Sequence, residues 1–258
     1  PGVTARQGED RLSPVTNWRG YCSKHNFSAA ATRGRENACA GFIFEKLNAL
    51  TKKNVNDRTG SDNTNRVIYG VKAHKSWFVF GDTMLALGAG ISNLDTKQKG
   101  DIWTTVEQTL WDSPVVSRNW KFDHDGATHQ YRLPSGDRIP WVKQKNGFAY
   151  AVLPGQTRGE VLFLAERRKS KWDRLSGSNR RLKGKPETTD IFQLSINHGR
   201  NVKDDTYGYI VYAGRENPAE VFSQSPVTVL ANSTAVQAAA SLDERVMQAV
   251  FYDSEAEL

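Results

Sequence analysis

The sequence predicts an all-β fold, a large antiparallel β-sandwich followed by the start of a second, small β domain. Short runs of apolar and β-branched residues recur along the 258 residues, and clusters rich in Gly, Pro, Asn and Ser separate them. Several of these runs alternate apolar with polar residues, as half-buried strands do. In the clearest hairpin, the apolar runs Trp77–Phe80 and Met84–Leu87 flank the turn residues Gly81–Thr83.

The segment before this hairpin leaves two interpretations open. Cys39, Ile43, Leu47 and Leu50 fall at helical spacing, and residues 45 to 50 are largely helix formers. Because the neighbouring segments indicate strands, we favour a strand over Ala38–Phe44.

The other strands follow in order along the chain. Gly88 and Gly90 lie in the second strand of the hairpin, where they allow a bend or a close approach of another backbone. Val161–Ala165 is wholly apolar, which predicts a strand covered on both faces. The further predicted strands are Val67–Val71, Ile102–Leu110, Tyr131–Leu133, Phe148–Leu153, Phe192–Ile196, Gly208–Tyr212, Val227–Leu230, Ala235–Ala240 and Val246–Tyr252.

Two segments divide this series of strands. Arg167–Thr189 is polar and basic, so we predict a long exposed loop there. A domain boundary is predicted near Gly214–Pro218, with the sandwich in residues 1–214 and a second β unit beginning in residues 215–258. A tail of this length is too short to fold alone, so it either packs against the sandwich or begins a larger domain.

The composition narrows the classes of partner. The chain has 35 Lys and Arg against 28 Asp and Glu, a net charge of +7. A positive surface concentrates polyanions, whether nucleic acid or acidic polysaccharide. No segment has the roughly 18 consecutive apolar residues of a membrane helix, so we expect no membrane partner. Cys22 and Cys39 suit either one disulfide or two buried thiols. Neither cysteine belongs to a CxxC pair, so a structural zinc site is not expected. We predict no metal and no cofactor.

Four segments resemble the polysaccharide lyase family that includes chondroitin AC lyase, hyaluronate lyase and xanthan lyase. They stand in the family's order across nearly the whole chain. The segments are Pro1–Thr4, then Lys75–Phe78 with Leu87–Ile91 and Thr104–Gln108, then Ile196–Gly199 with Tyr207–Tyr209, and finally Val229–Gln237. The resemblance implies the family's central super-sandwich domain and the start of its C-terminal β domain. Independently of the resemblance, a sequence that opens on Pro1, without an initiator Met or a basic-then-apolar leader, is expected to be a processed or excised piece.

The resemblance implies β-elimination on an acidic polysaccharide that contains uronic acid. The family's main catalytic residues lie in an α/α-toroid domain that precedes the Pro-Gly-Thr segment, and none of those positions is in this chain. We therefore assign none of the five histidines as catalytic. The expected partners are the polysaccharide substrate and that N-terminal toroid domain, and the expected location is secreted or periplasmic.

The family's sandwich domain also supplies a Glu and an Asn to the cleft, from a loop soon after the Pro-Gly-Thr segment. The matching segment here predicts Glu36 as a catalytic-site residue that orients a His or Arg of the toroid. Asn26, Arg33, Arg35 and Asn37 are predicted to bind substrate, since Arg suits bidentate carboxylate recognition. The alternative is a merely charged turn with Arg–Glu pairing.

Other functions and sites remain as alternatives. A non-catalytic carbohydrate-binding sandwich would share the same fold. A nucleic-acid binder is suggested only by the charge, since the chain lacks regularly interleaved basic and aromatic residues, and we expect no nucleic-acid partner. His124–His129 is predicted to be a hairpin loop rather than a metal site, and His198 a buried, hydrogen-bonded side chain in a turn. Most Trp residues are expected in the core.

Overall fold

A computed structural model of the protein describes residues 2–8, 23–45, 70–133, 138–171, 184–243 and 245–258. More than half of these residues lie in strands, and the described regular structure otherwise consists of one 3₁₀ turn at Pro154–Gln156 and one helical turn at Pro218–Val221. The strands are β1 (Val3–Arg6), β2 (Ser28–Arg33), β3 (Asn37–Glu45), β4 (Val71–Phe80), β5 (Thr83–Asn93), β6 (Ile102–Leu110), β7 (Val115–Ser117), β8 (Lys121–Phe122), β9 (His129–Leu133), β10 (Trp141–Gln144), β11 (Ala149–Val152), β12 (Glu160–Lys171), β13 (Pro186–Asn197), β14 (Asp205–Tyr212), β15 (Val227–Asn232), β16 (Val236–Ser241) and β17 (Met247–Phe251).

The strands form two large antiparallel sheets that pack face to face. One sheet has five strands in the order β1-β6-β13-β12-β9, and the other has nine in the order β2-β3-β4-β5-β14-β11-β10-β7-β8. Inward side chains from both sheets, such as Val106, Phe163 and Leu194 from the first and Ala86 and Tyr209 from the second, form one core. The predicted all-β sandwich is confirmed.

A third layer covers the other face of the nine-stranded sheet. The tail forms the sheet β15-β16-β17, and its Val227, Ala239 and Val250 pack with Leu85 and Leu87 of β5 in a second core. Successive side chains of β5 therefore enter opposite cores, and almost the whole strand is buried. The tail packs against the sandwich, which is one of the two arrangements that the sequence left open.

The predicted hairpin is formed by β4 and β5. Phe80 pairs with Thr83 across a two-residue turn, and Gly81 has φ of 57°, which favours glycine. At Gly88 a Cβ atom would lie 2.1 Å from Cε1 of the fully buried Tyr207. Only glycine leaves room for that ring, so the close approach predicted at this position is made by a side chain.

Two predictions about strands were wrong, and a third is confirmed. The loop predicted over Arg167–Thr189 was wrong at its two ends, where β12 continues to Lys171 and β13 begins at Pro186, and its residues 172–183 lie outside those that the structure describes. Backbone hydrogen bonds extend an established register whatever the side chains, so a polar, exposed strand resembles a loop in sequence. Val161–Ala165 is not covered on both faces, since its second and fourth residues are only half-buried. Ala38–Phe44 is strand, within β3.

Candidate functional site

The predicted site residues lie mainly on the hairpin of β2 and β3. Arg33 pairs with Asn37, and the three residues between them form the turn. Gly34 has φ of 67°, a left-handed backbone conformation that lets the chain reverse there. Arg33, Arg35 and Glu36 are exposed, whereas Asn37 is half-buried.

The neighbouring hairpin supports this turn. The backbone N–H of Gly81 donates a 2.8 Å hydrogen bond to the carbonyl oxygen of Glu36. Within the described part of the chain, no ion pair joins Arg33, Arg35 or Glu36 to any partner. The charged side chains of the turn therefore remain available for a ligand, and the alternative of Arg–Glu pairing is not what the geometry shows.

Asn26 lies beyond the other end of β2, two residues before Ser28. Seven residue steps separate it from Arg33, which is at most roughly 23 Å at about 3.3 Å per residue. The structure thus brings four of the five predicted residues together and places Asn26, which is exposed, apart from them. Strand β2 between the two ends is exposed along its whole length and carries only small side chains before Arg33.

A histidine that is hydrogen-bonded to a carboxylate lies beside Asn26, and the sequence reasoning missed it. Nε2 of His25 is 2.7 Å from Oε2 of Glu45, and Nζ of Lys24 donates to Oε1 of the same carboxylate at 3.2 Å. Burial alone would raise the pKa of Glu45, but these two hydrogen bonds lower it. The signal was the hairpin register, since extending the pairing of Ser28 with Phe42 by three residues places His25 opposite Glu45.

His198 belongs to a buried hydrogen-bond chain rather than to a site. Its Nδ1 is 2.6 Å from Oδ2 of Asp205, and its Nε2 is 2.9 Å from Oγ1 of Thr104, which in turn contacts Thr4 at 2.8 Å. The side chain of His198 has 0% exposure. The order hydroxyl–imidazole–carboxylate resembles a catalytic triad, yet no polymer can reach it. The prediction of a buried, hydrogen-bonded His198 is confirmed, and the chain ties β1 to the sandwich.

Two further ionisable residues are buried at consecutive positions of β4, and their side chains point to opposite faces of the sheet. His74 faces the tail and packs edge-on against Tyr252, and burial lowers its pKa to about 4. Lys75 faces the main core, where its ammonium donates to the carbonyl of Gly2 and lies 5.6 Å from the centre of the Phe44 ring. Burial lowers the pKa of Lys75 to about 7. Both groups are internal, so neither is a candidate for substrate contact.

The loop from His124 to His129 connects β8 and β9, which belong to different sheets, so the prediction of a hairpin loop was wrong. Each of the two histidines is held by a carboxylate. Nε2 of His124 is 2.8 Å from Oδ2 of Asp190, and Nε2 of His129 is 3.0 Å from Oδ1 of Asp125. Among the described residues, no group of three or more His, Cys, Asp or Glu side chains is placed to hold a metal ion. The described tryptophans are all buried or half-buried. Trp18, Trp172 and Cys22 lie outside the described residues, so the pairing of Cys39 stays untested.

The fold is a layered, all-β sandwich that carries this exposed hairpin at one edge. The sequence profile of polysaccharide lyase family 8, super-sandwich domain, matches residues 1–223. The chain therefore belongs to this polysaccharide lyase family.

Individual relatives agree with the family. The chain is 28% identical to chondroitinase AC of Pedobacter heparinus over 186 residues, which is 70% of this chain and 24% of that enzyme. It is 25% identical over 198 residues to hyaluronate lyase HylB of Enterococcus faecalis, covering 73% of this chain and 18% of the relative. The chain thus spans about a quarter or less of these relatives' length.

Solved structures share the fold. A chondroitinase AC lyase determined in oligosaccharide complexes superposes with a TM-score of 0.72 at 24% identity, covering 98% of this chain and 32% of that one. A Paenibacillus xanthan lyase gives a TM-score of 0.72 at 20% identity, with 99% and 22% coverage. In the parts of the chain that the structure describes, no helix has the length and apolarity to cross a membrane.

Proposed function

We propose that this chain is the β-sandwich portion of a secreted or periplasmic lyase that cleaves a uronic-acid-containing polysaccharide, of the hyaluronan or chondroitin type, by β-elimination. The match of residues 1–223 to the lyase family is the observation that carries the proposal. The relatives named for chondroitin, hyaluronate and xanthan agree on an acidic polysaccharide as substrate class.

The reaction needs three groups. A base removes the C5 proton of the uronate, the electron pair forms a C4=C5 double bond, and the C4–O bond breaks while an acid protonates the leaving oxygen. A donor to the carboxylate stabilises the charge that develops. Burial of His74 and His198 excludes them from contact with a polymer. We place the base and acid on an N-terminal α/α-toroid domain, the partner of this chain.

The hairpin of β2 and β3 would face that partner. Glu36 would orient a His or Arg of the toroid, and Arg33, Arg35 and Asn37 would hold carboxylates and hydroxyls of the sugar. The exposure of the turn supports this role, as does the lack of ion pairs between its side chains and other described residues. A polysaccharide that lies along the small side chains of β2 would reach Asn26 beyond the far end of the strand.

The test compares the chain alone with the chain joined to the toroid domain of its own enzyme. Hyaluronan, chondroitin, xanthan and alginate are offered, and the ultraviolet absorbance of the unsaturated uronate is followed. We expect product only from the joined form. In that form, Glu36→Gln should lower kcat at least tenfold, and the exposed control Glu257→Gln should leave it unchanged. Polymer binding without product from the joined form would overturn the lyase proposal in favour of a non-catalytic carbohydrate-binding module.

A further inference from the structure

The positive charge of the protein is concentrated in one hairpin. Residues 166–190 contain nine Lys and Arg and four Asp and Glu, a net charge of +5 out of +7 for the whole chain. Like charges gathered in one segment repel each other, and nothing in the packing of a sandwich needs them there. A polyanionic ligand is the kind of partner that such a segment fits.

The described part of this hairpin is a two-stranded ribbon that extends past the rest of its sheet. Strand β9 pairs with β12 only as far as Ala165, and β6 pairs with β13 only as far as Ile191. Beyond these points β12 and β13 continue to pair with each other alone, through Arg167–Lys171 and Pro186–Asp190. We call these ten residues the basic ribbon. Most of them are exposed, and at about 3.3 Å per residue the ribbon is roughly 17 Å long.

The two faces of the basic ribbon differ in charge. Because side chains alternate along a strand, Arg167, Lys169 and Lys171 share the face of the buried Phe163, at intervals of roughly 6.6 Å. Opposite them lie Asp190, Thr188 and Pro186. Two acidic residues, Glu166 and Glu187, point to the other face, where Arg168 pairs with the first of them at 2.6 Å.

The lysines of the basic face have no partner among the residues that the structure describes. Arg167 is held by Asp190 through two hydrogen bonds of 2.8 and 2.9 Å, which also fixes the base of the ribbon. Among the described residues, neither Lys169 nor Lys171 forms an ion pair. At this base, Arg167 and Asp190 line an open depression of about 380 Å³ together with Trp111.

We propose that the basic face of the ribbon is a second binding surface for an acidic polysaccharide, which it holds through Lys169 and Lys171. The ribbon is joined to the β8 edge of the nine-stranded sheet by the contact of His124 with Asp190. Strand β2 is the opposite edge, eight strand intervals away, or roughly 40 Å at about 4.8 Å each. The two surfaces would therefore contact different stretches of one long polymer, which adds avidity.

A polysaccharide is favoured over nucleic acid by two observations. The described ribbon carries no aromatic side chain on which bases would stack. The family membership supplies an acidic polysaccharide as the expected ligand class, and in this respect the inference rests on the proposed function. Binding is nevertheless measured without turnover, so the two proposals can fail independently.

The test uses the 258-residue chain and chondroitin sulfate, with binding measured by calorimetry over a series of salt concentrations. Lys169→Gln/Lys171→Gln is compared with Lys97→Gln/Lys99→Gln, in which two exposed lysines at the same spacing are replaced far from the ribbon. We expect the ribbon variant to bind about fivefold more weakly at low salt, since each exposed charge contact contributes a modest amount. Its dependence of log K on log salt should also be less steep. The control should change less than twofold.

Three results would overturn the proposal. Equal losses in the two variants would mean that only net charge matters, and no binding by the unmodified chain would remove the surface altogether. Equally tight, ribbon-dependent binding of single-stranded DNA would leave only nonspecific electrostatics.

A second measurement does not depend on the variants: chondroitin sulfate should protect Lys169 and Lys171 from acetylation, while Lys97 and Lys99 react as in the free protein. Equal protection at all four lysines would also refute it.

Discussion

The buried Lys75 gives the sharpest prediction about the scaffold. Its side chain is 2% exposed, and burial lowers its pKa from 10.5 to about 7. The unfolded chain keeps this proton up to about pH 10.5, whereas the folded protein loses it near pH 7. Between these values the unfolded state binds more protons, so the free energy of unfolding should rise with pH. Lys75→Met keeps the length of the side chain and removes the titration.

The size of the effect follows from the span of the two pKa values. A difference of one unit is about 1.36 kcal/mol, so the whole span corresponds to roughly 4 to 5 kcal/mol as an upper value. The hydrogen bond to the carbonyl of Gly2 favours the charged form and reduces it, which leaves about 3 to 4 kcal/mol. Below pH 7, Lys75→Met should therefore be more stable than the unmodified protein. Above pH 10 it should be less stable, by about 1 to 3 kcal/mol, because the Gly2 carbonyl is left unpaired.

Urea denaturation followed by tryptophan fluorescence from pH 6 to 10.5 measures this difference. All other titrating groups are shared by the two proteins, so subtracting the curves isolates Lys75. Lys121→Met, at an exposed position of β8, serves as the control and should run parallel to the unmodified protein. The reasoning would be refuted if the difference in free energy of unfolding between Lys75→Met and the unmodified protein changed by less than about 1 kcal/mol over this pH range.

Three further variants test the packing by the same measurement. Gly88→Ala should lower the free energy of unfolding by more than about 3 kcal/mol, because the added Cβ would overlap the ring of Tyr207. Gly155→Ala, where an added Cβ meets open space, is the control. An equal effect of the two substitutions would contradict the prediction. His198→Ala should cost about 2 to 4 kcal/mol by removing two buried hydrogen bonds, to Asp205 and to Thr104, and a loss under 1 kcal/mol would make the hydrogen-bond chain unimportant. His74 stays neutral in the folded protein down to about pH 4, so stability should fall as pH drops from 6.5 to 4. His74→Phe should remove about 2 kcal/mol of that fall, and an unchanged acid limb would count against it.

The parts of the fold that the sequence predicts are those where periodicity and turn chemistry agree. Trp77–Phe80 and Met84–Leu87 alternate sides across a turn that glycine begins, so the β4–β5 hairpin is determined locally. The basic ribbon carries no such signal. Its residues face solvent on both sides, and its register is imposed by the buried pairing of Phe163 with Leu194 further along the same strands. Local composition cannot reveal a strand that is held by distant pairing.

In the candidate site, too, some neighbours follow directly from the local sequence, whereas others depend on how the strands pair. Arg33 to Asn37 are close together because they are adjacent in sequence, and a short turn keeps them so. His25 and Glu45 are twenty residues apart, and only the register of the hairpin brings them together. Once Arg35 is recognised as the centre of the reversal that Gly34 allows, residues at equal distances from Arg35 face each other, and the pair of His25 and Glu45 follows from counting. A site distributed over one hairpin is therefore predictable from its turn, whereas His124 with Asp190 depends on the packing of two sheets.

The three-layer arrangement explains why the tail cannot be treated as an appendage of the sandwich. Met84–Leu87 is an unbroken apolar run in the middle of a sheet, and in an antiparallel sheet with one wet face every second residue would be polar. Leu85 and Leu87 are instead fully buried beneath the tail sheet. The sequence of β5 therefore already requires a cover on both faces, and Val227 and Ala239 supply the second. A boundary near Gly214–Pro218, which remains a prediction, would separate two chain segments that share one hydrophobic core.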